Sequence, residues 1–181
     1  MIFTETHLTG AFIIDPDPHH DERGFFARTF CRREFEARGL MSTVAQCNIS
    51  RSLRRGTLRG MHFQLPPMQE AKLVRCIRGA LFDVMLDLRS ESPTFRQWIG
   101  VELTADNGRS VYVPEGFAHG ILTLTDDTEL HYLITQFYDP QLSSGVRYND
   151  PVFGIEWPIQ PAVINERDRS WPDFDPESLR F

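Results

Sequence analysis

Period-two alternation of apolar and polar residues recurs through the chain, and it limits the possible folds more than any other feature. It is clearest in residues 72–78 and in residues 82–88, where Asp83 and Asp87 fall on the face opposite Phe82 and the leucines. Successive side chains of a β-strand point to opposite faces, so this alternation is typical of strands. The pattern predicts a protein built mainly of β-strands.

The predicted strands are short and closely spaced. They cover residues 2–14 (one or two strands), 44–50, 72–78, 82–88, 98–103, 110–113, 120–124 and 129–138. Many short strands with little helix indicate an antiparallel sandwich or barrel. One short helix is predicted at residues 31–39, with Glu34 and Arg38 spaced to pair and Gly39 as the residue that ends it.

The chain of 181 residues is expected to form a single domain. We expect N-terminal strands and a loop in residues 1–40, with the loop itself at residues 15–24, and a barrel in residues 41–148. The proline- and tryptophan-rich residues 149–181 are expected to wrap the barrel as irregular structure.

Composition excludes several classes of function. The net charge of −6 and the pI near 5.5 argue against non-specific nucleic-acid binding. No segment resembles a signal peptide or a membrane span. The three cysteines, Cys31, Cys47 and Cys76, lack metal-finger spacing and are predicted to be reduced thiols. We therefore expect a cytoplasmic protein that binds neither nucleic acid nor a membrane.

The stretch of residues 56–89 carries the strongest chemical signal, because it places Arg59, His62 and Lys72 close together in sequence. If the segments around His62 and Lys72 pair as a hairpin, the three side chains share one cavity. A neutral histidine there is a competent base near neutral pH. A core or surface histidine is the alternative interpretation of His62.

A metal site is a second interpretation of the same region. His62 and His119 occupy positions similar to the two metal motifs of cupin barrels, but the second histidine of the first motif is replaced by Gln64. Glu70 is a further possible ligand, yet Lys72 lies two residues away, and a neighbouring cation lowers the affinity for a divalent ion. We therefore predict a cupin-like barrel without a metal or another cofactor.

Two tyrosines, Tyr132 and Tyr138, share one predicted strand and have the same parity. At ~3.3 Å per residue a straight strand would separate them by about 20 Å. One could then serve the reacting end of a long ligand and the other its far end. Filling of the barrel interior by aromatic side chains is the alternative.

The chain resembles the dTDP-4-dehydrorhamnose 3,5-epimerase family over nearly its whole length. The matching segments are DERGFF (21–26), the strand with Gln46, Asn48 and Ser50, GTLRGMHFQ (56–64), residues 69–98, VPEGFAHG (113–120), residues 132–138 and YNDPVFGIEWP (148–158). The resemblance implies an all-β cupin-type jelly-roll barrel, usually a homodimer whose N-terminal segment reaches toward the partner's site. It implies a nucleotide-sugar substrate.

The resemblance also implies roles at matching positions. His62 would remove the proton beside the ketone, with Asp168 holding the imidazole, and Tyr132 would return a proton on the opposite face. Lys72 would stabilise the enolate oxygen, with His119 nearby. Arg59 and Arg23 would bind the pyrophosphate, and Arg23 would come from the partner subunit. Gln46 and Asn48 would make further contacts with the ligand, and Tyr138 would stack on the base.

Several positions depart from the family pattern. They are Arg28, Cys47, Leu133, Ser143 and the segment 164–168. These departures leave the base, the acid and the enolate cation in place, so they bear on the sugar or nucleotide rather than on the type of reaction. Two alternatives to the 3,5-epimerase stay open: a mono-epimerase acting at C3 or C5 only, and a non-catalytic nucleotide-sugar-binding barrel.

Overall fold

The computed structural model of the chain describes residues 1–178, which form two antiparallel sheets packed face to face and a separate hairpin. The strands in this part of the chain are β1 (Ile2–Glu5), β2 (Phe12–Asp15), β3 (His19–Asp21), β4 (Gly24–Phe26), β5 (Gln46–Ser52), β6 (Thr57–Gln64), β7 (Lys72–Arg78), β8 (Ala80–Asp87), β9 (Trp98–Thr104), β10 (Ser110–Val113), β11 (Phe117–Thr123), β12 (Thr128–Ile134), β13 (Ser143–Gly145) and β14 (Val163–Ile164). The helices are α1 (Arg32–Glu36), α2 (Glu166–Arg169) and a 3-10 turn at Pro176–Ser178. The predicted all-β, cupin-like class is confirmed.

The first sheet has the strand order β1-β2-β10-β7-β12-β5. In its edge strand β5, Gln46, Asn48 and Ser50 face cavities between the sheets, whereas the intervening Cys47 and Ile49 are exposed. This alternation follows from the pleat of a strand. The strand therefore presents a row of polar side chains to the barrel interior.

The second sheet has the order β13-β6-β11-β8-β9, and β14 pairs with β6 in parallel. Strand β8 is buried on both faces. Leu81 and Met85 pack in the core between the sheets, and Val84 and Leu86 pack on the other side. That other side is covered by residues 146–174. Burial on both faces explains why Asp83 and Asp87, on a strand with alternating polarity, are both completely shielded from solvent.

The segments around His62 and Lys72, which the sequence analysis treated as a possible hairpin, do not pair in the described residues. β6 lies in the second sheet and β7 in the first, with a loop of residues 65–71 that crosses between them. The two segments therefore face each other across the barrel and do not pair edge to edge. Sequence alternation reports which residues share a face, but it does not report which strands are neighbours.

The predicted helix is confirmed in a shorter form. α1 covers five residues, and its i,i+4 ion pair joins Arg32 to Glu36 at 2.6 Å. The expected pair of Glu34 with Arg38 is wrong, because Glu34 contacts Arg28 and the N-terminal ammonium. No helix among residues 1–178 is long and apolar enough to cross a membrane.

Two predictions for the second half of the chain need correction. The strand expected to reach Tyr138 ends at Ile134, so the two tyrosines do not share a strand. The C-terminal segment was expected to be irregular, but it contributes β14 and α2. A pairing of only two residues, Val163 and Ile164 with β6, leaves too short a pattern to recognise in sequence.

Gly60 lies where β6 and β11 approach closely, and we expect Gly60→Ala to destabilise the fold. Its φ is +136°, and an added Cβ would lie 2.5 Å from Gly120 Cα and 2.9 Å from His119 O. Strain and overpacking together should lower the free energy of unfolding by about 3 kcal/mol or more. Urea unfolding, with intrinsic fluorescence as the signal, measures this change.

Gly39→Ala is the matched control for this substitution. Gly39 also has a positive φ, +69°, but nothing lies within 4 Å of an added Cβ. The free energy of unfolding of Gly39→Ala should fall by only about 1–2 kcal/mol, because the backbone strain is the only cost. Equal losses in the two variants would show that the close approach of β6 to β11 does not limit position 60.

Candidate active site

Two adjoining cavities lie between the sheets and share three residues, His62, Lys72 and Tyr132. We call the smaller one, of about 210 Å³, the first cavity and the other, of about 460 Å³, the second cavity. The first cavity is also lined by Ser50, Arg59, His119, Ile121, Leu130, Asn165 and Asp168. The second is also lined by Gln46, Asn48, Phe63, Gln64, Glu70, Ile134, Tyr138, Ser143 and Arg167. The two cavities together thus contain every predicted site residue except Arg23.

His62, on β6, is held by a carboxylate from the C-terminal segment. Its Nε2 lies 2.6 Å from Oδ1 of Asp168, which is completely buried, and Asp168 Oδ2 accepts the Gly60 N–H at 3.1 Å. A carboxylate accepts hydrogen bonds, so the neutral imidazole carries its proton on Nε2 and keeps a lone pair on Nδ1. The side chain of His62 is 37% exposed, so the imidazole is only partly buried.

Local structure explains how Asp168 reaches β6. Strand β14 pairs with the start of β6, and α2 follows directly. Asn165 caps α2, with its side-chain oxygen accepting the Asp168 N–H at 2.7 Å. A short helix of this kind needs such support, because its first N–H groups lack partners within the helix. The cap fixes Asp168 with its carboxylate toward β6.

A second histidine–carboxylate pair lies beside the first. His119 on β11 is the direct cross-strand partner of His62, and its Nε2 lies 2.8 Å from Oδ2 of Asp83. Asp83 is completely buried, and His119 is 11% exposed. The proximity of His119 to His62 could not be read from the sequence, because 57 positions in the chain separate them and only the pairing of β6 with β11 joins them.

Lys72 approaches from the opposite sheet. Its Nζ lies 3.0 Å from Oε1 of Glu70, and the side chains are 11% and 9% exposed. A weaker contact of 3.5 Å joins Nζ to the His62 carbonyl oxygen. From the sequence, Glu70 was predicted only as a possible metal ligand, and this pairing was not predicted. The signal was available, because an acid two residues before a lysine in an extended segment lies on the same side of the chain.

Tyr132 on β12 faces both cavities. Burial raises the pKa of its phenol above the ordinary value near 10, the negative charge of Glu70 raises it further, and Arg59 partly offsets these effects. Tyr132 is therefore a protonated phenol throughout the neutral range. A group of this kind can donate a proton to a reacting carbon.

Arg59 has no carboxylate partner among the described residues. Its Nε donates to Ser52 Oγ at 3.1 Å and its Nη2 to the Arg51 carbonyl oxygen at 3.1 Å. Both partners are neutral oxygens, so the guanidinium charge is not compensated locally. Arg167, which the sequence analysis missed, is similar, since it donates to two oxygens of Ser143. Both arginines can therefore meet an anionic ligand.

The remaining predicted contacts divide between the cavity and the surface. The side-chain oxygen of Gln46 accepts the Tyr138 N–H at 2.8 Å. Gln46, Asn48 and Tyr138 all line the second cavity, and Tyr138 is 54% exposed. Arg23 lines neither cavity of its own chain. It lies on the β3–β4 hairpin, where its side chain is 83% exposed and contacts Asp21.

Gln64 takes the position where cupin metal motifs have a histidine, and here it joins three loop groups. Its amide nitrogen donates to the carbonyl oxygens of Met68 and Phe137, and its amide oxygen accepts the Asp139 N–H. Within residues 1–178, no group of three or more histidine, cysteine or acidic residues is arranged to hold a metal ion.

Asp168→Ala should destabilise the protein, because it leaves the Gly60 N–H and His62 Nε2 without their buried acceptor. We expect a loss of about 2–4 kcal/mol in the free energy of unfolding. Asp168→Asn keeps the shape of the side chain and one acceptor oxygen, so its loss in the free energy of unfolding should be smaller. The exposed Asp17→Ala is the control and should change stability by less than about 0.5 kcal/mol. Chemical denaturation compares the stability of these three variants with that of the wild type. A wild-type stability in Asp168→Ala would contradict the inferred role of this carboxylate.

The chain is similar to known proteins over almost its whole length. The family model of dTDP-4-dehydrorhamnose 3,5-epimerase matches residues 5–176. The enzyme of that name from Methanothermobacter thermautotrophicus is 46% identical over 172 residues, which are 93% of this chain and 92% of that protein.

Solved structures share the fold. The dTDP-6-deoxy-D-glucose-3,5-epimerase of Legionella pneumophila, in complex with dTDP-4-keto-L-rhamnose, has a TM-score of 0.91 at 36% identity and covers 99% of this chain and 97% of its own. The 3'-monoepimerase ChmJ from Streptomyces bikiniensis, in complex with dTDP-quinovose, has a TM-score of 0.85 at 37% identity, with coverage of 93% and 85%. The chain belongs to the dTDP-4-dehydrorhamnose 3,5-epimerase family.

Proposed function

We propose that this protein is an epimerase that inverts C3 and C5 of dTDP-4-keto-6-deoxy-D-glucose and yields dTDP-4-keto-L-rhamnose. The observation that carries the proposal is the meeting of His62, Tyr132 and Lys72 at the junction of the two cavities. His62 and Lys72 come from opposite sheets. A sugar ring between the sheets would thus meet a base, an acid and a cation at once.

The chemistry needs only these groups. The ketone at C4 acidifies the protons on C3 and C5, and His62 Nδ1 would take one of them while its Nε2–H stays bonded to Asp168. The electron pair of the broken C–H bond moves into an enolate, whose oxygen would be stabilised by Lys72 and His119. The phenol of Tyr132 would then deliver a proton to the opposite face of the same carbon. His62 then gives its proton to solvent and Tyr132 takes one from solvent, which restores the base and the acid. The same sequence at the other carbon completes the reaction without a redox step.

The rest of the ligand would extend along the polar row of β5. Gln46 and Asn48 would contact it, and Tyr138 would stack on the base. The pyrophosphate would meet Arg59, and Arg167 in the second cavity offers another cation for it. Arginine is suited to this task, because its planar guanidinium matches phosphate oxygens in a bidentate manner.

Deuterium exchange tests the reaction and the division of roles. Proton NMR of the protein with dTDP-4-keto-6-deoxyglucose in heavy water should show exchange at both C3 and C5. His62→Asn should reduce exchange by about 10³-fold, since the base is removed. Tyr132→Phe should slow inversion by about 10²-fold while exchange on the His62 face continues. The exposed His7→Asn is the control and should match the wild type.

The alternatives give different results in this experiment. Deuterium exchange at a single carbon would identify a mono-epimerase. The absence of exchange with every 4-keto sugar nucleotide tested would identify a binding protein. Loss of all exchange in Tyr132→Phe would contradict the assignment of separate faces to Tyr132 and His62.

We also propose a homodimer in which residues 1–40 contribute to the interface. Arg23 lines neither cavity of its own chain, and the hairpin that carries it exposes 69% of Phe25 and 71% of Phe26. Exposed aromatic side chains on one short element are typical of an interface. In such a dimer Arg23 of one chain would reach the pyrophosphate in the other. The cytoplasmic location stays a prediction from the sequence.

Mixing two inactive or weakened variants tests this arrangement. Arg23→Ala should raise KM by about tenfold, because one phosphate contact is lost. Co-expression with His62→Asn should restore a site of wild-type KM in the mixed dimer, since intact Arg23 and intact His62 then meet across the interface. No recovery, together with a dimer by light scattering, would place Arg23 in its own chain's site. A monomer would contradict the proposal directly.

A further inference from the structure

Glu70 is a nearly buried carboxylate beside the reacting groups that the mechanism above does not use. It lines the second cavity together with His62, Lys72 and Tyr132. Only 9% of its side chain is exposed, and its Oε1 lies 3.0 Å from Lys72 Nζ. A charge in such a place needs a compensating partner, and here the partner is the residue assigned to the enolate oxygen.

Lys72 is the only lysine in the sequence, which has eighteen arginines. An ammonium carries three N–H donors on a flexible stem and has no fixed plane, so its direction depends on what it contacts. One donor of Lys72 meets Glu70 at 3.0 Å, and a second lies 3.5 Å from the His62 carbonyl oxygen. These two contacts leave one donor for the cavities, both of which Lys72 lines.

We propose that Glu70 is a positioning residue for the epimerase reaction, which holds the Lys72 ammonium so that its remaining N–H meets the enolate oxygen. The inference rests on the proposed function. Glu70 touches Lys72 and not the reacting atoms, so it acts through the lysine. Without it, the ammonium would turn among several directions and lose the fixed geometry that gives charge stabilisation in a catalytic site its strength.

The same carboxylate influences the acid. Tyr132 lines both cavities, and the other charged and titratable residues that line them are Glu70, Asp168, Lys72, Arg59, Arg167, His62, His119 and Tyr138. Burial raises the pKa of Tyr132 most, the negative charge of Glu70 raises it further, and Arg59 opposes both. Removing the charge of Glu70 should therefore lower the pKa of Tyr132. The phenol would then lose its proton at a lower pH than in the wild type.

Glu70→Gln tests the proposal, because it keeps the shape and removes the charge. We expect kcat to fall by about 10–100-fold, with KM changed by less than about threefold, since the lysine is misdirected only toward the developing enolate. The alkaline limb of the kcat profile should also move to lower pH. Glu102→Gln, at an exposed position on β9, is the matched control and should leave kcat and the pH profile unchanged.

The single lysine allows a second measurement that does not depend on turnover. An amine-reactive acylating reagent can modify only Lys72 and the N-terminal amine, and mass spectrometry separates their peptides. Breaking the ion pair should let Lys72 react at least about fivefold faster in Glu70→Gln, because the amine no longer has to leave its carboxylate partner. The N-terminal amine serves as the internal reference, and its rate should not change.

The two measurements separate the possible outcomes. Unchanged Lys72 reactivity would show that Glu70 does not hold the lysine, and faster Lys72 reactivity with an unchanged kcat would show that holding it does not matter for catalysis. Either result overturns the proposal. A wild-type protein that exchanges no 4-keto sugar nucleotide would overturn the proposed function, and with it the catalytic role of Glu70, while the reactivity of Lys72 would still report on the ion pair.

Discussion

The hydrogen bond between His62 and Asp168 is the interaction on which the rest of the site depends. It joins residues 106 positions apart, and its carboxylate also accepts the Gly60 N–H of the same strand. Because Asp168 is completely buried, the bond is shielded from water and therefore stronger than a surface contact. It holds the imidazole in one orientation and ties the C-terminal segment to the barrel. The proposed catalytic geometry and the attachment of the C-terminal segment therefore depend on one interaction.

Three basic side chains that line the cavities each pair with a buried or nearly buried acid. Asp168 holds His62, Asp83 holds His119, and Glu70 holds Lys72, each with a single cavity-lining partner. In each pair the acid is less exposed than its partner. An unpaired buried carboxylate is unfavourable, so each acid favours a close contact with its partner. As a result His62, His119 and Lys72 each already contact a carboxylate before any ligand enters the cavities.

The alternation of side chains along the sequence indicates where strands lie, but it does not indicate which strands pair. Alternation located most strands within a few residues, because the pleat forces side chains to alternate wherever one face is buried. It failed for the strand expected to include Tyr138, which ends at Ile134, and for β3, which lies within the predicted loop of residues 15–24. It also did not delimit β4, β6, β13 or β14. It also left open whether β6 and β7 pair, and the structure shows that the loop between them crosses from one sheet to the other.

By itself the sequence determined the all-β class, which follows from local alternation, and the family, which follows from the matching motifs. The assignment of a base, an acid and a cation came from that resemblance and stays a proposal. Only the tertiary structure decided that His62 and His119 are cross-strand partners, that Glu70 pairs with Lys72, and that Arg23 lies outside the cavities of its own chain. Such relations depend on which strands pair and which sheets face each other. Strand pairing joins positions far apart in the chain, and a short window of sequence carries no record of it.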